Sequence, residues 1–115
     1  MHELGIANSI LASVREEMQK HAGARLHAIG LRIGEWSGVE PESLRFCFGV
    51  LARETCAAGA ELKIEMGSLQ WRCRSCHKEF TPAEGESRCP DCGASYCRLV
   101  GGQQLEIAYL DLEEP

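Results

Sequence analysis

At 115 residues, with 44% apolar side chains and a net charge of −5, the chain is long enough for one compact unit or two very small ones. Its apolar content excludes general disorder, and its acidic balance argues against a nucleic-acid binder, which would carry a basic face. Seven cysteines, an odd total without a secretion-type start, point to a reducing cytoplasm rather than a disulfide scaffold. No basic n-region followed by an apolar h-region opens the chain, and no apolar run approaches membrane-spanning length.

Residues 4 to about 21 read as an amphipathic helix. Leu4, Ala7, Leu11, Val14 and Met18 recur at three- and four-residue spacing with Ile10 beside them, and Gly23 ends the element. All of these apolar residues, Leu4 included, are expected in the core. Ile29, Leu31 and Ile33 then alternate with Ala28, Gly30 and Arg32, the pattern of a strand with one buried face. Gly34 to Gly38 is a loop carrying Trp36. Pro41 is placed to open a second helix, because proline lacks only an N–H that the first turn cannot use. Leu44, Phe48 and Leu51 give that helix its inward stripe, widened by Phe46, Cys47 and Val50. Leu62, Ile64 and Met66 alternate in a second strand, and Leu105, Ile107 and Tyr109 in a third.

Between these last two strands lie Cys73-x-x-Cys76 and Cys89-x-x-Cys92, twelve residues apart. Two residues between cysteines let a tight turn aim both sulfurs at one tetrahedral ion, and the pairing occurs twice. Arg74-Ser75 and Pro90-Asp91, the latter followed by Gly93, are suitable turn residues. The reading is one shared structural Zn²⁺; unrelated pairs or disulfides are the alternative. A segment from about Trp71 to Val100 with so few large apolar residues needs such a metal to fold.

The fold class is therefore α+β: two helices against a three-stranded sheet, with an inserted four-cysteine zinc-ribbon domain. The expected domains are residues 1–68 plus 101–115, and residues 69–100.

Met1-His2-Glu3 offers a second set of metal donors. His2 is too large for removal of an initiator methionine, so Met1 is expected to keep its amine. That amine and the His2 amide nitrogen close a five-membered chelate, the His2 Nδ1 a six-membered one, and the Glu3 amide lies within reach. Several nitrogens in a plane favour Ni²⁺ or Cu²⁺ over Zn²⁺. On residue type alone, a histidine at position 2 is usually an accident on a frayed terminus.

The opening Met1-His2-Glu3-Leu4 resembles that of the HypA/HybF family of nickel-hydrogenase maturation proteins. So do Ile33-Gly34-Glu35-Trp36-Ser37-Gly38-Val39-Glu40-Pro41, Leu44-Arg45-Phe46, Thr55, Gly59-Ala60-Glu61-Leu62, the four cysteines and Leu105-Glu106-Ile107. The resemblance spans essentially the whole chain. It implies a nickel metallochaperone that binds Ni²⁺ at its N-terminus and delivers it to the [NiFe] hydrogenase large subunit together with the GTPase HypB, with urease maturation proteins as further partners in some bacteria. Carried onto this chain, it makes His2 the essential nickel ligand, joined by Met1 and Glu3, with Glu40 as a contact outside the ligands. It makes Cys73, Cys76, Cys89 and Cys92 the ligands of structural zinc, and residues 1–68 plus 101–115 the nickel-binding domain. His77 and Cys97 depart from the family pattern and add a nitrogen and a sulfur beside the zinc cysteines; a surface position is the plainer reading of His77.

Two other functions remain in view. A zinc-ribbon adaptor for protein or nucleic acid follows from the ribbon alone, but the charge and the lack of arginines and lysines clustered with aromatics count against nucleic acid. An enzyme is not expected: a four-thiolate zinc has no open position for water, and neither a Ser/His/Asp set nor a phosphate-binding glycine loop is present. The remaining expectations are a cytoplasmic location, no membrane, and a monomer that dimerises at most weakly.

Overall fold

The computed structural model describes residues 2–81, 88–95, 97–102 and 104–115. In chain order the elements are helix α1 (His2–Met18), strand β1 (Arg25–Gly34), helix α2 (Pro41–Leu51), and strands β2 (Glu61–Gly67), β3 (Gln70–Cys73), β4 (Glu79–Phe80), β5 (Cys97–Gly101) and β6 (Leu105–Glu113). One three-stranded sheet has the order β2-β1-β6 and a second has the order β4-β3-β5. The chain forms two compact units. Residues 1–32, 39–65 and 106–115 make up the first, and residues 33–38 and 66–105 the second.

In the first unit, α1 buries Ala7, Ile10, Leu11, Val14 and Met18, and α2 buries Leu44, Cys47 and Phe48. The two helices pack against each other. Leu26, Ala28, Ile29, Leu31 and Leu62 complete this core from the strands. Each fully buried Leu, Ile or Phe is worth roughly 1.5–3 kcal/mol by removal from water. Arg25, His27 and Arg32 are the exposed positions of β1, and Ala28 to Leu31 are all buried, so the strand is covered on both faces there rather than on the one its alternation suggests. Pro41 opens α2 as the sequence suggests, and the Glu40 side chain caps it by accepting the Glu42 N–H (3.2 Å).

The periodicity overreaches in strands and helices alike: Met66, Leu105, Ile107 and Tyr109 are exposed, and β6 half-buries Leu110 and Leu112 instead of the Leu105–Tyr109 face. Leu4 is 45% exposed, Phe46 73% and Val50 42%, so the apolar stripes of α1 and α2 are narrower than the sequence suggests. Leu4 sits in the first turn, ahead of the packed length of α1. Phe46 and Val50 lie one turn apart on a face of α2 away from the Leu44–Phe48 seam. Trp36 is also exposed, at 58%, and does not fold back over a core.

In the second unit, residues 33–38 are held by backbone bonds. The Gly34 N–H donates to Gln104 O (2.7 Å), the Glu35 N–H to Gly67 O (2.8 Å) and the Trp36 N–H to Gly102 O. The remainder is a cysteine-bearing ribbon with β3 at the centre of its sheet. Its core consists of Cys73, Phe80 and Cys89, with Trp71, Ala94 and Cys97 packed against them. That is too little apolar surface to offset the ordering of about forty residues.

Candidate metal centres

The two cysteine pairs sit on equivalent backbone turns. Cys73 O accepts the His77 N–H (2.9 Å) and Cys89 O accepts the Gly93 N–H (3.0 Å). Each turn is closed from the other side, the Cys73 N–H donating to Lys78 O and the Cys89 N–H to Ala94 O, both at 2.9 Å. In the first turn the N–H groups of Ser75 and Cys76 both point at Cys73 Sγ (3.4 Å each). The Cys73 sulfur is thereby held by backbone donors.

All four sulfurs lie within 4.8 Å of one another. Cys73 Sγ is 3.5 Å from Cys92 Sγ, and Cys76 Sγ is 3.6 Å from Cys89 Sγ. These separations are far beyond a disulfide bond of about 2.05 Å. They are close to the edge of about 3.8 Å of a tetrahedron whose centre lies about 2.3 Å from each sulfur. The donor set and its spacing fit a tetrahedral, thiolate-loving ion.

Proton sharing without metal is asymmetric. The backbone N–H groups of Cys76 and Ser75 hold the Cys73 thiol down to about 6, and those of Cys92 and Asp91 lower Cys89. At Cys92 the Ala94 N–H acts downward, but the hydrogen bond to Cys73, burial and Cys89 together push the thiol up to about 12. Cys76 is raised too: the Lys78 N–H pulls it down, and its hydrogen bond to Cys89 and burial outweigh that pull. The first cysteine of each turn is thus the better thiolate, and the second keeps its proton until an ion displaces it.

Cys97 stands directly across the β3–β5 ladder from Cys73 and bonds weakly to Ala94 O (3.7 Å). It is half-buried, and its thiol is raised by burial and by the neighbouring sulfurs of Cys73 and Cys89. It lies outside the group of four. His77 is exposed, with φ 66°. Cys47 is buried as a small apolar residue of α2.

At the other centre, Met1 lies outside the described residues. His2 begins α1 with its imidazole more than half exposed, and its Nδ1 is 3.2 Å from Glu3 Oε2. The same carboxylate oxygen accepts the backbone N–H of Glu40 (3.2 Å). Glu3 is only 16% exposed, and the N–H groups of Glu40 and of Glu3 itself, with His2 adding, hold its carboxyl below the usual range. Glu40 therefore meets the terminus through its backbone, while its carboxylate caps α2. Nothing in the residue pattern reveals that split, because a backbone donor leaves no trace in residue type.

A family model described as hydrogenase/urease nickel incorporation, metallochaperone, HypA, matches residues 1–112. The chain belongs to the HypA family. It is 41% identical to the hydrogenase maturation factor HypA of Solidesulfovibrio magneticus over 117 positions, covering 98% of this chain and all of the relative. It is 37% identical to the HypA of Chlorobaculum tepidum over 113 positions, with the same coverage of both chains. Among solved structures it is similar to a solution structure of HypA protein, with TM-score 0.81 and 21% identity over 100% of this chain and 98% of the other. It is also similar to the solution structure of the Ni metallochaperone HypA from Helicobacter pylori, with TM-score 0.69 and 18% identity over 98% of each. The HypA fold is thus shared along the full chain. Among the described residues, no helix is long and apolar enough to cross a membrane.

Proposed function

We propose that this HypA-family protein carries Ni²⁺ on the N-terminus of α1 and releases it to the [NiFe] hydrogenase large subunit, working with the GTPase HypB in the cytoplasm, and with urease maturation proteins where those are present. The supporting observation is the Glu3 carboxylate bridging the His2 ring and the Glu40 N–H. This bridge orders a segment that would otherwise fray. Two donors at about 2.1 Å from one ion and at right angles to it are about 3.0 Å apart. The 3.2 Å between His2 Nδ1 and Glu3 Oε2 suits adjacent ligands of one metal. Because α1 begins at His2, the amide nitrogens of His2 and Glu3 lie outside the helix's backbone ladder, the Glu3 N–H meeting its own carboxylate. Nickel can engage them without unwinding a turn. The Met1 amine completes the set, and the Glu40 side chain stays outside it.

In this reading the residues divide into a nickel-binding α+β domain (1–68 plus 101–115) and a zinc-ribbon domain (69–100). Zn²⁺ is the ion of Cys73, Cys76, Cys89 and Cys92, since a d¹⁰ ion accepts a closed tetrahedron of four thiolates without penalty. With no open position that ion shapes the ribbon and performs no reaction, so the protein is not an enzyme. Nickel at a chain terminus is held by few contacts, which makes release easy.

The test is anaerobic Ni²⁺ titration of untagged, zinc-loaded protein. One Ni²⁺ per chain is expected, lost in His2→Ala and lost when residues are fused ahead of Met1. Unchanged nickel affinity in the fused protein would remove the terminal amine from the ligand set, and uptake through the cysteines alone would overturn the whole assignment.

A further inference from the structure

The second unit carries as many Lys and Arg as Asp and Glu, five of each, so the chain's net −5 resides wholly in the other unit. Within this balanced ribbon the cations are not spread evenly. A cleft of about 440 Å³ is lined by Arg72, Cys73, Arg74, His77 and Arg98, with no carboxylate among the described residues of its wall.

Arg72 on β3 is the direct cross-strand partner of Arg98 on β5. Like charges directly opposite on an antiparallel ladder are destabilising. On its other side Arg72 meets Glu79 of β4, its partner there, and forms an ion pair (2.6 Å). That one carboxylate serves one guanidinium. Arg98 is exposed and has no ion-pair partner among the described residues. Arg74 and His77 follow from the first cysteine turn into the same cleft. Among the described residues, the ribbon core of Cys73, Phe80 and Cys89 does not include Arg98. A local rule broken without structural gain marks a surface kept for another purpose.

We propose that the Arg72–Arg98 face of the ribbon is a docking surface for a carboxylate-rich segment of a partner protein. The guanidinium is a planar fork that donates two parallel bonds to a carboxylate; Arg98 offers its fork outright, beside an Arg72 already paired with Glu79. A nucleic acid would need a longer basic track with stacking aromatics. The surface uses neither nickel nor the N-terminus, so it stands apart from the nickel assignment.

The test uses full-length, metal-loaded protein and a fluorescent glutamate-rich peptide, followed by anisotropy. Saturable binding is expected at about 50 mM salt and near-complete loss at about 500 mM, where screening shrinks to a few ångströms. Arg98→Gln should weaken the peptide at least about tenfold, with metal stoichiometry unchanged and the thermal midpoint unchanged or higher, because the like-charge opposition is gone. Arg98→Glu should transfer the preference to a lysine-rich peptide. Arg53→Gln, the same charge change in the other unit, should leave binding as it was. The proposal is overturned by absent binding at low salt or by an equal loss in Arg53→Gln. It is also overturned if Arg98→Gln lowers the thermal midpoint, or if a single-stranded oligonucleotide binds more tightly than the peptide.

Discussion

His77 occupies in the first cysteine turn the place that Gly93 occupies in the second. Both have left-handed backbone, φ 66° and 74°, and each donates its N–H to the carbonyl of the cysteine four residues earlier. Glycine takes this conformation freely, histidine uncommonly, and a β-branched residue hardly at all. The nitrogen that His77 adds beside the cysteines is thus explained as a turn residue. His77→Gly should therefore fold with unchanged metal content and a stability within about 1 kcal/mol of the parent, strain relief being offset by greater unfolded-state entropy. Gly93→Val should cost about 2 kcal/mol or more. Thermal unfolding at saturating Zn²⁺ reads both; a loss of metal in His77→Gly would restore histidine as a ligand.

Gly30 of β1 lies beneath the ring of Tyr109 on β6, and a Cβ at Gly30 would overlap that ring. Gly30→Ala should therefore destabilise by about 1–3 kcal/mol, the usual penalty of overpacking. Tyr109→Ala in the same chain should recover part of that loss, because the two residues share one space. Chemical denaturation of the two single variants and the double variant measures the coupling. Strictly additive effects would mean that ring and glycine do not meet in solution.

The fold was legible wherever a period ran long enough. Ala7, Leu11, Val14 and Met18 announce α1, and the alternation of Ile29, Leu31 and Ile33 announces β1. Pro41 announces α2. The return of the last strand to the first sheet also followed, because Leu105 to Leu112 had no other apolar surface to meet, and β6 indeed lies beside β1. The ribbon strands were not legible individually: β4 has two residues and β3 four, too short for alternation to register. The cysteine group was legible because ligand spacing is local in sequence. That Glu40 meets Glu3 through its backbone, and that Arg72 stands opposite Arg98, were not, since both depend on the pairing of distant segments.

Glu3 gives a pH dependence of definite sign. Its carboxyl titrates below the ordinary glutamate value because the N–H groups of Glu40 and Glu3, with the His2 ring, favour the charged form. Folding therefore favours the carboxylate. The stabilisation is fully present above the unfolded-state pKa and is lost as pH falls through the lowered folded-state value. NMR titration of the Glu3 carboxyl should place its midpoint on the acid side of a free glutamate. Glu3→Gln should remove that step while keeping α1 folded. A midpoint at or above the ordinary value would show that the Glu40 N–H points elsewhere in solution.

Removing the ribbon ion should unfold one unit and spare the other. The ribbon core is Cys73, Phe80 and Cys89, two of which are ligands, so without metal little apolar burial remains there. The first unit keeps Val14, Ile29, Leu31, Leu44 and Phe48, none of which depends on the cysteines. Binding of a structural zinc supplies on the order of 10 kcal/mol, more than such a ribbon core can replace. Chelation should accordingly erase amide protection across residues 69–81, 88–95 and 97–101 while α1, α2 and β1 stay protected. Acid should act in the same direction. The ion must displace protons from Cys92 and Cys76, whose thiols are held above the ordinary range, so metal affinity falls as pH falls. Hydrogen exchange with and without chelator decides the matter: equal loss of protection in both units would mean that the metal holds the whole chain, and no loss in the ribbon would mean that its short strands stand without it.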